Sequence, residues 1–326
     1  MLKIGVFGVG HLGKIHLKCL KMLPEQYELV GFFEPDQAEA AAVARDFEIS
    51  AFDSPEELLA SVEVIDIVAP TGAHFDIARK ALLANKHIFI EKPLTASLKE
   101  AQELIQLTDQ KNVKVQVGHV ERFNPALLAL GEKVLQPMFV EGHRLSLFNP
   151  RGTDVSVILD LMIHDLDILL HLVNAPVAQV SASGVAVVSD NIDIANARIE
   201  FENGCVANLT ASRISVKQMR KMRLFQRDAY VSLDFLDKKA QIIQLEEQKS
   251  EHAFLSLPTT KGEKWISLKE LKIEPSNAIK MELASFANSI QKDIEPKVSI
   301  KDGYKALHLA QQIVKAIQLS QQKAFF

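Results

Sequence analysis

A glycine-rich segment near the start of the chain has the residue types and spacing to hold the phosphates of a dinucleotide. The residues Gly8-Val9-Gly10-His11-Leu12-Gly13 fit the pattern G-x-G-x-x-G, and they follow an apolar strand and open a helix. Such glycines allow a tight turn, a close approach of backbone to pyrophosphate, and close packing of helix on strand. N–H groups at the helix start can donate to phosphate oxygens. Glycines alone could form an ordinary turn, but this context predicts a dinucleotide-binding loop.

Glu34 bears on the choice of dinucleotide, because it ends the second predicted strand about 20 residues after the glycine loop. A carboxylate there accepts hydrogen bonds from the adenosine ribose hydroxyls and repels a 2′-phosphate. We therefore expect NAD, with NADP less favoured, although a solvated strand-end carboxylate before a turn at Pro35 is the alternative. At the next strand end, Pro70, Thr71 and His74 are also expected to contact the cofactor, and His74 could instead be an ordinary helix-start residue.

A lysine follows a further strand of the same predicted sheet, in the tripeptide Glu91-Lys92-Pro93. The strand before it is the apolar run His87–Ile90. Open α/β sheets bind their ligands at the carboxyl ends of the strands, so a lysine here would lie beside the nicotinamide ring. Glu91 and Lys92 are therefore predicted to contact the cofactor, and Lys92 is also a candidate for chemistry on a substrate. The ordinary role of such a lysine is a solvated charge.

A second polar group lies on a predicted helix that starts at Asp160. His164 is four residues further on, so the two side chains share one helix face. Histidine titrates near neutral pH and can accept a proton, whereas an aspartate–histidine pair is more often a simple hydrogen bond. Asp167 and His171 follow at helical spacing, which makes a metal site a second possibility. We favour two hydrogen-bonded pairs and predict no metal.

The elements that must position these residues can be predicted from apolar periodicity. The first third of the chain alternates β-branched runs with helical patterns, as in βαβ units, and the right-handed crossover rule then favours a doubly wound sheet. After Gly118 one helix and a series of strands follow, with a type I′ hairpin turn predicted at Asn203-Gly204. We predict an α/β protein: a Rossmann doubly wound parallel sheet in residues 1–120, then an α+β domain with a large, mostly antiparallel open sheet in residues 121–326.

Composition narrows the class of protein. The 326 residues are 48% hydrophobic and 24% charged, which suits a globular chain of two domains. A net charge of -4 gives no general attraction to nucleic acid or to an anionic membrane, so neither is an expected partner. Cys19 and Cys205 lie far apart and indicate neither a disulfide scaffold nor a cysteine zinc site. With no signal peptide or membrane span predicted, we expect a cytoplasmic protein.

Four motifs together carry a resemblance to a known family. They are the glycine loop, Pro70-Thr71-x-x-His74, Glu91-Lys92-Pro93 and Asp160-x-x-x-His164-Asp165. In this order and spacing, over nearly the whole chain, they resemble the glucose-fructose oxidoreductase, inositol dehydrogenase and MocA family. The resemblance implies a Rossmann domain followed by a substrate-binding α/β domain. It also implies hydride transfer from a sugar or cyclitol hydroxyl to NAD, and a homodimer or homotetramer formed through the C-terminal sheet.

The resemblance implies roles for three residues. The family's catalytic lysine falls on Lys92, near the nicotinamide and the reacting hydroxyl. Its aspartate and histidine fall on Asp160 and His164, so Asp160 would orient the substrate or hold the imidazole, and His164 would accept the alcohol proton. We expect the three side chains to converge on one substrate hydroxyl.

Finer features resemble the subgroup that oxidises the 3-hydroxyl of UDP-N-acetylglucosamine. They are the segment Val117–Pro125, the helix around His164, and a basic run from Arg213 to Arg227 with six cations in fifteen residues. The substrate-binding residues expected from this resemblance are Lys92, His119, Arg122, Asp160, His164 and Arg213. The basic run could bind a diphosphate through arginine forks, or it could be a solvated strand face or a subunit contact.

Other functions stay open at this stage. The chain could oxidise a free sugar or an inositol. It could also be a glycosidase that retains NAD, oxidises a sugar hydroxyl transiently and restores the hydride. A non-catalytic NAD-binding regulator is the remaining alternative, and it would have no need of both Lys92 and His164.

Overall fold

The computed structural model describes residues 1–131, 135–149, 155–260 and 262–324. The described chain forms two compact units. The first consists of Met1–Phe123 and Asn277–Leu307. The second consists of the described residues from Asn124 to Ser276 and from His308 onwards.

The first unit is built on a five-stranded parallel sheet in the order β2-β1-β3-β4-β5. Its strands are β1 (Leu2–Phe7), β2 (Tyr27–Phe33), β3 (Val64–Ile67), β4 (His87–Glu91) and β5 (Val115–Gly118). Its first helices are α1 (His11–Lys21), α2 (Gln37–Phe47), α3 (Pro55–Ser61), α4 (Thr71–Leu83) and α5 (Leu98–Asp109). A parallel bridge from Phe32 to Ala51 extends the sheet beyond β2, which gives the doubly wound order and places the switch point between β1 and β3.

Local sequence signals set the starts of three of these helices. The Asp36 carboxylate accepts N–H bonds from the first turn of α2, and the Ser54 hydroxyl accepts one from the first turn of α3. Ser97 and Glu100 form a complete capping box at the start of α5. Aspartate and serine are preferred at helix starts, so the sequence predicts these three caps and the structure confirms them.

A later part of the chain returns to the first unit. Helix α8 (Ala278–Gln291) buries Leu283 and Phe286 in the same core as α1. The Tyr27 hydroxyl donates to the Leu283 carbonyl at 2.9 Å, which fixes α8 against β2. Helix α9 (Ile300–Ala324) contributes its first residues. The sequence-based division assigned this whole stretch to the second domain, because an amphipathic pattern predicts a helix but not the sheet that the helix covers.

The second unit is built on a nine-stranded sheet in the order β13-β14-β12-β11-β10-β6-β9-β8-β7, called the large sheet below. Its strands are β6 (Phe139–Leu145), β7 (Val177–Val185), β8 (Ile194–Phe201), β9 (Val206–Ser212), β10 (Met219–Phe225), β11 (Ala229–Asp234), β12 (Lys239–Glu246), β13 (Ala253–Thr259) and β14 (Gly262–Glu270). Only the β6–β9 pairing is parallel, so the prediction of a mostly antiparallel sheet is confirmed. A short helix α6 (Pro125–Leu128), a π-helical turn (Ile158–Met162) and α7 (Ile163–Val173) complete its first half.

The core of this unit lies between α7 and one face of the large sheet. Met162, Leu166 and Leu169 pack there with the buried strand residues Leu209 and Leu224. Alternate strand residues face the other way, as the period of two requires. Among the described helices of the chain, none combines the length and apolar composition needed to cross a membrane.

The turn type predicted at Asn203-Gly204 is wrong, although the hairpin exists. The turn joins β8 to β9, but only Gly204 has a positive φ, of 83°, whereas a type I′ turn needs it at both central residues. The Gly204 N–H donates to the Phe201 carbonyl at 2.9 Å, and the Asn203 side chain accepts the Cys205 N–H at 3.0 Å. The asparagine therefore closes the turn through its side chain rather than through a left-handed backbone.

Candidate functional site

The glycine loop lies between β1 and α1, and its three glycines differ in what surrounds them. Gly8 has a φ of +90°, and a Cβ there would lie 2.7 Å from Ala69 Cα. A Cβ on Gly13 would lie 2.2 Å from the Gly8 carbonyl oxygen, whereas one on Gly10 would meet nothing within 4 Å. The fold itself therefore requires Gly8 and Gly13, and the space beside Gly10 is open.

This open space adjoins the N-terminus of α1, where His11 is exposed and Leu12 is half-buried. Gly10 is the N-cap residue, and the first turn of α1 contains no acidic side chain. The positive end of the helix dipole and its N–H groups are thus suited to an anionic group. The loop fits the pyrophosphate of a dinucleotide.

Glu34 follows β2 and reaches this loop. Its Oε2 accepts the Val9 N–H at 3.0 Å, and its Oε1 accepts the Asp36 N–H at 3.2 Å. The carboxylate is therefore placed against the glycine loop, as the ribose-binding acid of a doubly wound fold is.

Pro70, Thr71 and His74 follow β3, where Pro70 is the N-cap residue of α4. His74 is buried, with Nε2 2.8 Å from the Ala69 carbonyl oxygen and Nδ1 3.0 Å from that of Pro93. Burial lowers the pKa of His74, and the two carbonyl oxygens act against that shift. The imidazole connects the end of β3 with the turn that contains Lys92.

Glu91 ends β4, and its buried carboxylate supports the same turn from within. Oε2 accepts the Lys92 N–H at 3.2 Å, and Oε1 lies 3.2 Å from His16 Nε2. His16 Nδ1 lies 2.9 Å from Asp66 Oδ2. Sequence reasoning missed His16 and Asp66, although an aspartate inside the apolar strand Val64–Ile67 is a signal that the interior holds a partner for it.

His119 and Arg122 follow β5. His119 is buried, Arg122 is half-buried, and the Arg122 N–H donates to the His119 carbonyl at 3.0 Å. Every predicted site residue of the first unit thus lies at, or shortly after, the carboxyl end of one of its five strands. That edge is where this class of sheet binds ligands.

Asp160 and His164 belong to the second unit. Asp160 lies in the π-helical turn and His164 in the first turn of α7, and both are half-buried, whereas the neighbouring Met162 and Ile163 are buried. The predicted regular helix is therefore confirmed only from Ile163 onwards. π-helical turns are frequent at functional sites. Among the described residues, no three His, Cys, Asp or Glu side chains are grouped as a metal site requires.

A buried ion pair fixes α7 to the large sheet. Asp165 accepts two hydrogen bonds from Arg144 of β6, at 2.9 Å to Nε and 2.8 Å to Nη2. Both side chains are buried, and a bidentate pair of this kind fixes orientation as well as position. Sequence reasoning identified Asp165 only as part of a motif and did not identify Arg144.

The basic run is divided among different environments. Arg213 is buried, with Nη2 donating to the Val155 carbonyl at 2.6 Å and Nε 3.8 Å from Asp193 Oδ1. Lys221 pairs with Asp234 at 3.0 Å, and Arg223 is hydrogen-bonded to Glu141. Lys217, Arg220 and Arg227 are exposed. Arg213 is therefore buried against interior partners, whereas Lys217, Arg220, Lys221 and Arg227 have exposed side chains.

A doubly wound sheet with this glycine loop, followed by a second unit on a large open sheet, indicates a dinucleotide-binding protein of the nicotinamide-dependent oxidoreductase class. Residues 2–119 match the model of the oxidoreductase family with an NAD-binding Rossmann fold, and residues 139–230 match the GFO/IDH/MocA C-terminal domain. The chain belongs to the GFO/IDH/MocA family and binds NAD, which confirms the predicted fold, family and cofactor.

Individual relatives agree with this assignment. A UDP-N-acetylglucosamine 3-dehydrogenase of Acidithiobacillus ferrooxidans is 41% identical over 237 residues, 72% of this chain and 75% of the relative. Its solved structure has a TM-score of 0.88 at 35% identity and covers 98% of both chains. A scyllo-inositol 2-dehydrogenase (NAD(+)) of Bacillus subtilis is 31% identical over 65% of this chain and 68% of its own. Levoglucosan dehydrogenase, solved with NADH and levoglucosan, shares the fold with a TM-score of 0.84 at 18% identity and 97% coverage of both chains.

Proposed function

We propose that the protein oxidises the 3-hydroxyl of a UDP-sugar, with UDP-N-acetylglucosamine as the favoured substrate and NAD as hydride acceptor. The observation that supports this substrate is the 41% identity to the UDP-N-acetylglucosamine 3-dehydrogenase, against 31% to the inositol dehydrogenase. A free sugar or an inositol is the second candidate, because inositol dehydrogenases follow in the comparison.

The residues that would hold the cofactor are those of the carboxyl edge of the first sheet. The glycine loop and the start of α1 would bind the pyrophosphate, and Glu34 the adenosine ribose. Pro70, Thr71 and Glu91-Lys92 would contact the rest of the dinucleotide. The chemistry that NAD supplies when bound is acceptance of a hydride from a carbon atom.

Lys92, Asp160 and His164 are the proposed catalytic residues. The Lys92 ammonium would donate a hydrogen bond to the substrate oxygen. A ring nitrogen of His164 would accept the hydroxyl proton, because histidine is the side chain best suited to proton transfer near neutral pH. Asp160 would orient the substrate or the imidazole. His119, Arg122 and Arg213 are proposed to bind the substrate, Arg213 through the backbone that it holds at Val155.

The test is a turnover screen. Purified protein and NAD are mixed with UDP-N-acetylglucosamine, UDP-glucose, N-acetylglucosamine, and myo- and scyllo-inositol, and NADH absorbance is followed. We expect turnover of the UDP-sugar and little of the others. NADH formed with an inositol but not with a UDP-sugar would contradict the proposal. Cleavage of an added glycoside without net NADH would indicate the glycosidase instead.

Matched variants test the roles of the side chains. Lys92→Gln and His164→Gln should lower kcat by about 100-fold or more, the usual scale for loss of a positioned acid or base. Lys99→Gln on α5 and His171→Gln on α7 are the controls, because both wild-type side chains are exposed. Equal activity of His164→Gln and His171→Gln would refute the role of His164 as base.

We also propose a homodimer or homotetramer formed through the open face of the large sheet, in a reducing cytoplasm. The rings of Phe139 and Phe225 lie 5.9 Å apart, and those of Phe225 and Tyr230 4.8 Å apart, on the face opposite the α7 core. Leu245 and Leu268 extend this apolar face and are exposed. Light scattering of wild type and Tyr230→Lys tests the assembly, and a monomeric wild type would refute it.

Both cysteines are buried free thiols, which suits a reducing compartment.

A further inference from the structure

A chain of buried charged groups leads from the cofactor-loop helix to the turn that contains Lys92. Asp66 of β3 and His16 of α1 are fully buried, and Glu91 of β4 is 7% exposed. His16 Nδ1 lies 2.9 Å from Asp66 Oδ2, and His16 Nε2 lies 3.2 Å from Glu91 Oε1. Glu91 Oε2 then accepts the Lys92 N–H at 3.2 Å. All four residues belong to the first unit.

The electrostatic environment of these buried groups favours a protonated, charged His16 ring. Burial by itself lowers the pKa of His16, but Asp66 and Glu91 raise it well above the usual value. A protonated His16 lies between the carboxylates of Asp66 and Glu91, so these buried charges compensate one another. Four further titratable groups lie on the elements packed around His16: Cys19 of α1, Tyr27 of β2, and Lys280 and Glu282 of α8. The same elements also carry His11, Lys14, Lys18 and Lys21 of α1, Lys3 of β1, Glu28 of β2 and His87 of β4.

Packing leaves the Glu91 carboxylate little freedom. A Cβ at Gly118 of β5 would lie 2.7 Å from Glu91 Oε1, so the carboxylate fills the space beside that glycine. On the other side of the turn, His74 Nδ1 lies 3.0 Å from the Pro93 carbonyl oxygen. The backbone before and after Lys92 is thus held by buried side chains.

We propose that His16 is a positioning residue for catalysis: together with Asp66 it holds the Glu91 carboxylate, which in turn fixes the backbone of Lys92. The inference rests on the proposed catalytic role of Lys92. The proposal adds a structural role for the Glu91 carboxylate, beneath the lysine, to the cofactor contact proposed for the Glu91-Lys92 segment. It also couples the helix that starts at the cofactor loop to the position of the lysine.

The kinetic test uses His16→Gln, Asp66→Asn and Glu91→Gln, with His87→Gln as control. His87 is on the same strand as Glu91 but at its other end, where its ring accepts the Lys114 N–H. In His16→Gln we expect kcat to fall about 10- to 100-fold, the cost of a small misplacement of a catalytic group, with KM for the sugar little changed. Glu91→Gln, which keeps an acceptor for the Lys92 N–H, should lose less activity than Glu91→Ala.

The pH profile separates positioning from a general loss of structure. Asp66→Asn removes one of the charges that raise the pKa of His16, so His16 should lose its proton at a lower pH than in wild type. The kcat of Asp66→Asn should therefore decline with rising pH over a range in which wild-type kcat stays flat. Parallel profiles for the two proteins would overturn the proposal.

A second readout needs no turnover. Lysines are labelled by reductive ¹³C-methylation, the Lys92 signal is assigned with Lys92→Arg, and its chemical shift is followed by NMR against pH. We expect the signal to change in His16→Gln and to stay as in wild type in His87→Gln. An unchanged Lys92 signal in folded His16→Gln would overturn the proposal even if wild type oxidises no sugar. If His16→Gln does not fold, the Lys92 signal is measured instead in Asp66→Asn and in Gly118→Ala, whose added methyl group would press on Glu91 Oε1. An unchanged Lys92 signal in these variants would likewise overturn the proposal.

Discussion

Asp193→Asn should destabilise the second unit, because this buried carboxylate organises a whole turn. Its Oδ2 accepts the N–H groups of Val187, Val188 and Ser189 at 2.7, 2.8 and 3.1 Å, and its Oδ1 accepts the Ser189 hydroxyl at 2.7 Å. Asparagine supplies one acceptor oxygen, but its amide group is a donor. That donor would face either the three N–H groups or Arg213, whose Nε lies 3.8 Å from Oδ1.

The size of this destabilisation follows from the acidity of the Asp193 carboxyl group. Burial by itself raises the pKa of Asp193, but the hydrogen bonds from residues 187–189 outweigh it and lower the pKa from 3.8 to about 2. A carboxyl with a lowered pKa stabilises the fold above its unfolded pKa, and this contribution is lost as the pH falls through the folded pKa. The difference between 3.8 and about 2 corresponds to at most about 2.5 kcal/mol at pH 7, and solvent near the turn reduces it to about 1–2 kcal/mol. The contribution should decline between about pH 4 and about pH 2.

Urea unfolding can measure this loss through the one tryptophan of the chain, Trp265, which lies on β14 of the same unit. Asp190→Asn is the matched control, because Asp190 is exposed in the same turn. At pH 7 Asp193→Asn should lose about 1–2 kcal/mol of unfolding free energy, and the gap to wild type should narrow as the pH is lowered towards 3. A gap below about 0.5 kcal/mol at pH 7, the level of an ordinary surface change, would refute the reasoning, as would a gap that widens in acid.

Three further predictions concern the cofactor loop and the core of the second unit. Gly13→Ala places a methyl group 2.2 Å from a backbone oxygen of the loop and should lower both Tm and NAD affinity, whereas Gly10→Ala meets nothing within 4 Å and should lower NAD affinity alone. Scanning calorimetry and titration with NAD separate the two effects, and equal Tm losses would contradict this account. Glu34→Gln removes the charge that repels a 2′-phosphate. The ratio of the KM for NADP to the KM for NAD should therefore fall about tenfold, which is equivalent to about 1.4 kcal/mol. An unchanged ratio would show that Glu34 does not select the cofactor. Arg144→Met leaves the buried Asp165 carboxylate without its bidentate partner and should cost about 3–5 kcal/mol, most of which the double variant with Asp165→Leu should restore in the same urea assay. A double variant as unstable as the single one would contradict that reasoning.

Local patterns in the sequence were sufficient to predict that the proposed cofactor-binding residues of the first unit lie at one edge of its sheet. The glycine loop, Glu34 and Lys92 each follow a short apolar run, and in a parallel sheet the ends of such runs meet at one edge. Long-range pairing was harder to predict. Strand β6 (Phe139–Leu145) was missed because Gly142, His143 and Arg144 weaken its strand pattern, and its parallel partner β9 is distant in sequence.

Buried polar residues need a different kind of reasoning, because each has a partner that is remote in the chain. Asp66 interrupts an apolar strand, so the cost of burying a charge predicts a partner, but only the packing of α1 identifies that partner as His16. The same reasoning changes the interpretation of Arg213. Its guanidinium donates to the Val155 carbonyl, which directly precedes the segment that contains Asp160, and it lies beside Asp193. A substitution there would therefore disturb the backbone before Asp160, so a loss of substrate binding by such a variant would not by itself demonstrate a contact with diphosphate.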